Sequence, residues 1–118
     1  MIYGCLIRTN DRQIIQKVSK TSNFLERMRG LLGSPPLKEN EGLLIVPCSS
    51  VHTFGMRYAI DLVFLDKQLT IVKTISALKP WRMAASNAAS MVLELATGSL
   101  DQLQLSNGQQ LEWHSEEK

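Results

Sequence analysis

Residues 48–66 have the sequence Cys48-Ser-Ser-Val-His-Thr-Phe-Gly-Met-Arg-Tyr-Ala-Ile-Asp-Leu-Val-Phe-Leu-Asp66, and this stretch decides the fold. Its second half, residues 58–65, is aliphatic and aromatic enough to predict a strand. Side chains alternate along a strand. One face would therefore hold Arg57, Ala59, Asp61, Val63 and Leu65, and the other Tyr58, Ile60, Leu62 and Phe64. Because both faces are largely apolar, we expect this strand to be covered on both sides.

The rest of the chain adds short strands around this one. Asp66-Lys-Gln68 predicts a tight turn into a partner strand at residues 69–76. Further strands are predicted at residues 2–8, 13–18, 42–46, 51–56, 91–96 and 109–114, the first two as a hairpin. Short strands at this spacing indicate a mainly β, α+β fold with a small, barrel-like, strongly curled sheet. The lack of long alternating helices excludes a doubly wound parallel sheet.

One clear helix is predicted at residues 23–32, packed on the sheet. Asn23 followed by Glu26 fits a helix cap, and Gly33 provides the stop. The apolar stripe that would face the sheet consists of Phe24, Leu25, Met28, Leu31 and Leu32. A second, short helix is possible at residues 97–103. We expect a single domain over residues 1–114 and a frayed tail at 115–118.

Composition narrows the class of protein. The chain has 118 residues, 44% of them hydrophobic and 20% charged, with a net charge of +2, as expected for one soluble domain. Its charges are scattered, which argues against a nucleic-acid partner. No apolar run approaches the roughly 20 residues that span a bilayer, so no membrane partner is expected. The first residues lack signal-peptide features, so a cytoplasmic location is predicted. The oligomeric state stays open.

Cofactor and metal chemistry have little support in the sequence. Gly30-Leu-Leu-Gly33 has neither P-loop nor dinucleotide-binding spacing, so no cofactor is predicted. Cys48, His52 and a carboxylate would leave a structural zinc ion short of a fourth ligand, so no metal site is predicted either. Cys5 and Cys48 are 43 residues apart and are expected to be free thiols in the cytoplasm.

Titratable side chains in apolar strands mark the candidate site. A buried Asp61 needs a cation or several hydrogen-bond donors, and we expect Arg29 or Arg57 to pair with it. Glu94 lies in Met91-Val-Leu-Glu-Leu-Ala96 and should either face solvent or be paired inside. Both acids could have a purely structural role or could share acid–base work. His52 could equally be structural or functional.

Six short motifs, in order along the chain, resemble one family. They are Arg29-Gly-Leu-Leu-Gly33, Gly42-Leu-Leu-Ile, Val51-His-Thr-Phe-Gly-Met-Arg57, Ile60-Asp-Leu-Val-Phe-Leu-Asp66, Pro80-Trp-Arg82 and Val92-Leu-Glu-Leu95. Together they resemble the DUF192 family, also called UPF0127. The resemblance implies a compact, mainly β, barrel-like domain of uncharacterised biochemical function, found in bacteria and archaea. It implies no catalytic residue. The positions that match the family's motifs are Arg29, Gly30, His52, Thr53, Phe54, Gly55, Met56, Asp61 and Glu94.

The leading hypothesis is a binding module for a small ligand or an extended peptide. Its pocket would be lined by His52, Phe54, Met56 and Trp81 together with Arg29, Arg57, Asp61 and Glu94. The alternative is a small hydrolase-like enzyme that uses His52 with Cys48 or Asp61. A third possibility is an interaction protein that offers an exposed strand edge. For the pocket, we expect Trp81 to contact the strand from His52 to Met56 and to form one wall.

Overall fold

A computed structural model describes residues 1–116, and strands dominate this part of the chain. The strands are β1 (Ile2–Arg8), β2 (Ile14–Lys20), β3 (Glu41–Ile45), β4 (Ser50–His52), β5 (Ile60–Leu65), β6 (Ile71–Leu78), β7 (Met83–Ala85), β8 (Met91–Ala96) and β9 (Leu111–Ser115). Two short helices are α1 (Phe24–Arg29) and α2 (Ser99–Leu103). The prediction of a mainly β domain with one or two helices is confirmed.

Seven of these strands form one sheet in the order β6-β5-β8-β3-β2-β1-β9. Only β2 and β3 run parallel among the described pairs. The sheet is open, with β6 and β9 at its edges, so a closed barrel or a strongly curled sheet is not supported. An isolated bridge between Thr70 and Gln110 joins the segments just before the two edge strands.

Strand β5 lies between the edge strand β6 and strand β8, and all six of its residues are buried. Val63 and Leu65 pack into an apolar cluster on one face. Leu62 and Phe64 belong to a second cluster on the other face. The predicted alternation is therefore confirmed for residues 60–65, whereas residues 57–59 precede the strand. A strand covered on both faces can be apolar throughout because neither face meets water.

Helix α1 begins where the sequence predicted, but its packing was predicted wrongly. The Asn23 side chain accepts a hydrogen bond from the Glu26 backbone N–H at 2.9 Å, so the cap is confirmed. None of the six helical residues is buried, and Met28 is 65% exposed. Only Leu31, which follows the helix, enters the core. A six-residue helix is too short to lay a full stripe on the sheet, so its apolar side chains remain at the surface.

The predicted strand at residues 51–56 ends early. Strand β4 stops at His52 and pairs with β7. No strand is predicted at β7 from the sequence, because the small residues after Trp81 show no strong periodicity. A β-turn follows, in which the Met56 N–H donates to the Thr53 carbonyl at 3.2 Å. Gly55 has φ +83° at the third position of this turn, a conformation that favours glycine. His52, Phe54 and Met56 therefore do not share one strand face.

The C-terminal part of the domain matches the prediction in outline. Helix α2 lies within the predicted segment 97–103, and β8 has the predicted limits. Strand β9 extends to Ser115, and the Glu116 N–H donates to the Tyr3 carbonyl at 2.8 Å, so the ordered strand includes the start of the predicted tail. Residues 117–118 of that tail lie outside the described residues. Within residues 1–116, neither helix is long and apolar enough to cross a membrane.

Candidate functional site

The candidate site is built around the buried carboxyl of Glu94. Strand β8 lies between β5 and β3, and Glu94 lies opposite Leu43 of β3 and Leu62 of β5. Its side chain is therefore on the face of the second apolar cluster, and the residue is only 3% exposed. Among residues 1–116, no group forms a hydrogen bond with its Oε1 atom. Burial raises the pKa of Glu94 to about 7, because an apolar environment disfavours the charged form.

A cavity of about 330 Å³ lies over this carboxyl. Its walls come from segments 27–32 and 47–52, together with Ile45, Phe54, Met56 and Glu94. The buried apolar residues of the wall are Leu31, Ile45, Val51 and Met56. The cavity thus joins the end of α1 to the strand that precedes the Phe54 turn, and an ionisable group lies in a mostly apolar surround.

Gly30 keeps the space over the carboxyl open. It ends α1, with its N–H donating to the Glu26 carbonyl at 3.1 Å. Its φ of +52° favours glycine, and a Cβ atom there would lie 3.6 Å from Oε1 of Glu94. The same residue therefore turns the chain and leaves room beside the acid. The family resemblance already included Gly30, but its part in the cavity follows only from the fold.

Cys48 and His52 both line the cavity, yet the environment of Cys48 does not suit a nucleophile. Burial raises the pKa of the Cys48 thiol, and the charge of Glu94 raises it further, against opposing effects of a Ser50 hydrogen bond and of Arg27. The Cys48 Sγ donates to the Ser50 carbonyl at 3.1 Å. Since the thiolate is the reactive form, a raised pKa keeps the sulfur inert. Both cysteines are free thiols.

An aromatic row extends from the cavity mouth over the surface. The rings of His52 and Phe54 have centroids 5.2 Å apart, and Phe54 stacks on Trp81 with centroids 5.8 Å apart. The predicted contact of Trp81 with this segment is therefore present in the structure. Trp81 is 64% exposed and is not among the residues that line the cavity, so it flanks the mouth instead of forming a wall.

Thr53 positions the loop that carries Trp81. This fully buried residue donates from Oγ1 to the Lys79 carbonyl at 2.7 Å and accepts from the Arg82 N–H at 2.9 Å. Its own carbonyl accepts from the Trp81 N–H at 3.0 Å. Thr53 matched the family motif, but nothing in the local sequence indicated which loop its hydroxyl would hold.

Among residues 1–116, Asp61 has no arginine partner within 4.0 Å, so the predicted ion pair is wrong. The residue is fully buried, as expected, and its carboxylate accepts hydrogen bonds from three backbone N–H groups. These come from Ala77 at 2.8 Å, Gly98 at 3.1 Å and Leu100 at 3.0 Å. Several backbone donors stabilise a buried carboxylate without any cation. Asp61 therefore joins strand β6 to the start of α2.

Asp61 and Glu94 also cannot act as a pair. Leu62, the next residue after Asp61, lies opposite Glu94 and shares its face. Neighbouring residues of a strand point to opposite faces, so the two carboxylates lie on opposite sides of the sheet. This arrangement excludes a shared acid–base role, and it removes Asp61 from any site that contains His52.

Of the two arginines predicted for the site, one lines the cavity and the other does not. Arg29 lines the cavity, and its Nε donates to the Leu32 carbonyl at 3.1 Å. Arg57 is exposed and lies outside the cavity wall. Arg27, which the sequence did not single out for the site, lines the cavity and lies over the Phe24 ring at 5.3 Å. Of the eight predicted site residues, the cavity collects Arg29, His52, Phe54, Met56 and Glu94.

A metal centre and a second cavity are the other kinds of site that the fold could offer. Within residues 1–116, no group of three or more His, Cys, Asp or Glu side chains is placed to hold a metal ion. A larger cavity of about 550 Å³ lies beside β1, β2 and β9, near Cys5 and His114. Among the described residues, the buried side-chain atom without a hydrogen-bond partner is Oε1 of Glu94, and Glu94 does not line this larger cavity. The smaller cavity is therefore the stronger candidate.

Residues 6–113 match the model of DUF192, described as "Uncharacterized ACR". The chain belongs to the DUF192 family. A UPF0127 protein from Pyrococcus furiosus is 30% identical over 112 residues, covering 90% of this chain and 94% of that protein. One from Thermococcus sibiricus is 30% identical over 109 residues, covering 86% and 69%. The family assignment predicted from the motifs is thus confirmed.

Two crystal structures share the fold of this DUF192 chain. One is a putative transcription regulator from Sinorhizobium meliloti, with a TM-score of 0.81, 21% identity and coverage of 95% of this chain and 92% of that one. The other is a protein of unknown function from Novosphingobium aromaticivorans, with a TM-score of 0.76, 19% identity and coverage of 94% and 84%. At these identities the likeness concerns the fold alone.

Proposed function

We propose that this protein is a binding module whose ligand is a small molecule held in the cavity over Glu94. The observation that carries the proposal is the buried Oε1 atom, for which residues 1–116 provide no hydrogen-bond donor. Buried polar groups are almost always hydrogen-bonded, since leaving one unpaired costs about 1–3 kcal/mol. A ligand that donates a hydrogen bond to this oxygen would remove that cost on binding.

The walls of the cavity support the same proposal. Ligand sites are mostly apolar, with a few placed polar groups that fix orientation. Here Leu31, Ile45 and Met56 supply apolar surface, while Glu94 supplies the polar anchor. The proposed pocket differs from the one predicted from sequence in two respects. Asp61 lies on the other face of the sheet, and Trp81 flanks the mouth.

The hydrolase alternative has less support. It required His52 with Cys48 or Asp61, and Asp61 is committed to three backbone donors on the opposite face. Cys48 has a raised pKa and donates its hydrogen bond to the Ser50 carbonyl. A binding role needs neither an activated thiol nor a catalytic triad, so the observed arrangement of these side chains is compatible with it.

A thermal-shift screen of metabolites and short peptides tests the proposal, because a ligand specific for the folded state raises the melting temperature. We expect hits to depend on Glu94 and to alter the fluorescence of Trp81 beside the mouth. The fluorescence change should disappear in Trp81→Phe and survive in Trp113→Phe. Trp113 is a matched control because it lies on β9, away from this cavity. Hits whose effect is unchanged in Glu94→Leu, which removes the acceptor oxygen, would contradict the proposed pocket.

A further inference from the structure

The cavity carries opposite charges at different places. Glu94 contributes a carboxyl from the buried strand β8. Arg27 and Arg29 belong to the last turn of α1 and are both among the residues that line the cavity, where Arg29 Nε donates to the Leu32 carbonyl at 3.1 Å. No ion pair within 4.0 Å joins Glu94 to an arginine among the described residues. The residues that line the cavity therefore include a buried carboxyl and two arginines that do not neutralise it by contact.

Resting on the proposed pocket, we infer that its ligand is a small amino-carboxylate zwitterion. Its ammonium group binds the buried Glu94 carboxylate, and its carboxylate binds Arg27 and Arg29. The chain between the two groups packs on Leu31, Ile45 and Met56.

Each charged group of the zwitterion is complementary to one charged part of the cavity wall, the ammonium to Glu94 and the carboxylate to the arginines. An ammonium group can donate three hydrogen bonds, and its positive charge compensates the negative charge of a desolvated carboxylate. A ligand that was only cationic would also meet the two arginines, which oppose its approach. A ligand that was only anionic would be drawn to the arginines but would face the Glu94 carboxylate. Opposite charges at the two ends remove both conflicts, and guanidinium groups bind carboxylates well.

The size of the cavity sets the size of the ligand. A volume of about 330 Å³ is at the small end of ligand sites, which span roughly 300–1,000 Å³. It therefore favours a compact amino acid over a nucleotide or a larger cofactor. The apolar wall between the charged ends suits methylene groups or an aliphatic side chain, which bury without needing hydrogen bonds.

The experiment uses the full chain and a defined set of probes. The zwitterions are glycine, leucine and a series of unbranched ω-amino acids. Alkylamines and carboxylic acids of the same length carry one charge each, and primary amides and alcohols carry none. Thermal shift and calorimetric titration at about pH 8 compare them, a pH at which Glu94 with a pKa of about 7 is mainly ionised. We expect a zwitterion to bind at least about tenfold more tightly than either one-charge analogue.

Matched variants test the two ends separately. Glu94→Gln and the double variant Arg27→Gln with Arg29→Gln should each weaken zwitterion binding by about tenfold or more. Arg57→Gln, which removes an exposed arginine outside the cavity wall, should leave binding unchanged. Far-UV circular dichroism confirms that each variant is folded. Equal binding of the zwitterion by all variants would overturn the inference.

Failure of the inference can be distinguished from failure of the proposed pocket. If neutral donors bind in a Glu94-dependent manner and zwitterions do not, the pocket stands and the zwitterion is wrong. If carboxylic acids alone bind, and more tightly as the pH falls, protonated Glu94 acts as a donor to an anion and the inference is likewise wrong. If the only probes that bind act equally on wild type and on Glu94→Leu, which lacks the acceptor oxygen, both the pocket and the inference are contradicted.

Discussion

Replacement of Glu94 by glutamine should make the protein relatively more stable as the pH rises. In the folded chain burial raises the pKa of Glu94 from 4.5 to about 7. Because the folded-state pKa is the higher one, the contribution of Glu94 to the free energy of unfolding is fully favourable below about pH 4.5 and is lost as the pH rises through about 7. Glutamine carries no charge at any of these pH values, so it does not show this loss.

The magnitude follows from the pKa. At about 1.4 kcal/mol for each pKa unit, the rise from 4.5 to about 7 corresponds to about 3 kcal/mol. Glu94 is 3% exposed, so solvent screening takes little from this figure. The stability difference between Glu94→Gln and wild type should therefore be about 3 kcal/mol more favourable to the variant at about pH 8.5 than at about pH 4. Any pH-independent effect of the amide cancels in that comparison.

Urea denaturation at the two pH values measures the effect, provided that both proteins unfold in a single transition. Glu39→Gln is the matched control, since Glu39 is exposed and the same substitution there should show little pH dependence. Arg27, Cys48 and Tyr58 also lie near the Glu94 side of the sheet and are the same in both proteins. A pH-dependent difference below about 0.5 kcal/mol would show that the carboxyl is solvated or paired, and would refute the reasoning.

Three further predictions concern residues around the sheet and the cavity. Asp61→Asn should lower the free energy of unfolding by about 3 kcal/mol, because an amide group would face backbone N–H donors; urea denaturation checks this, and a loss below about 0.5 kcal/mol would place the carboxylate in water. Thr53→Val should cost about 2 kcal/mol and shift the emission of Trp81 in a Trp113→Phe background, since the loop loses its hydroxyl contacts; unchanged emission would contradict that role. Cys48 should react with iodoacetamide mainly above its ordinary thiol pKa of 9.0, and fast alkylation near neutral pH in a Cys5→Ser background would argue for an activated thiol instead.

Much of the secondary structure could be predicted from local sequence. The hairpin of β5 and β6 was predicted because its turn is encoded locally, and Asp66 Oδ1 accepts from the Gln68 and Thr70 N–H groups at 2.9 Å each. The cap of α1 at Asn23 is equally local. The open form of the sheet was not predictable, because it depends on which strands pair, and β2 with β3 form a parallel pair across the α1 segment.

The candidate site was only partly predictable. Glu94 and Met56 were predicted site residues, and the cavity brings them together with Arg29. Asp61 was assigned a cation because the sequence shows charged residues but not where backbone N–H groups point. Trp81 was expected in the wall because a loop tryptophan had no other evident place, and it flanks the mouth since Thr53 holds its loop there.

The sequence by itself determined the family, the mainly β class, and the alternation that buries both faces of β5. The family follows from six motifs in order along the chain, and the class and the alternation follow from local composition and the two-residue period of a strand. Only the tertiary structure decided that Asp61 and Glu94 lie on opposite faces, with three backbone donors for one and a cavity for the other. The physical reason is that the surroundings of a buried side chain decide whether it finds a hydrogen-bond partner. Those surroundings are created by strand pairing, which the local sequence does not specify.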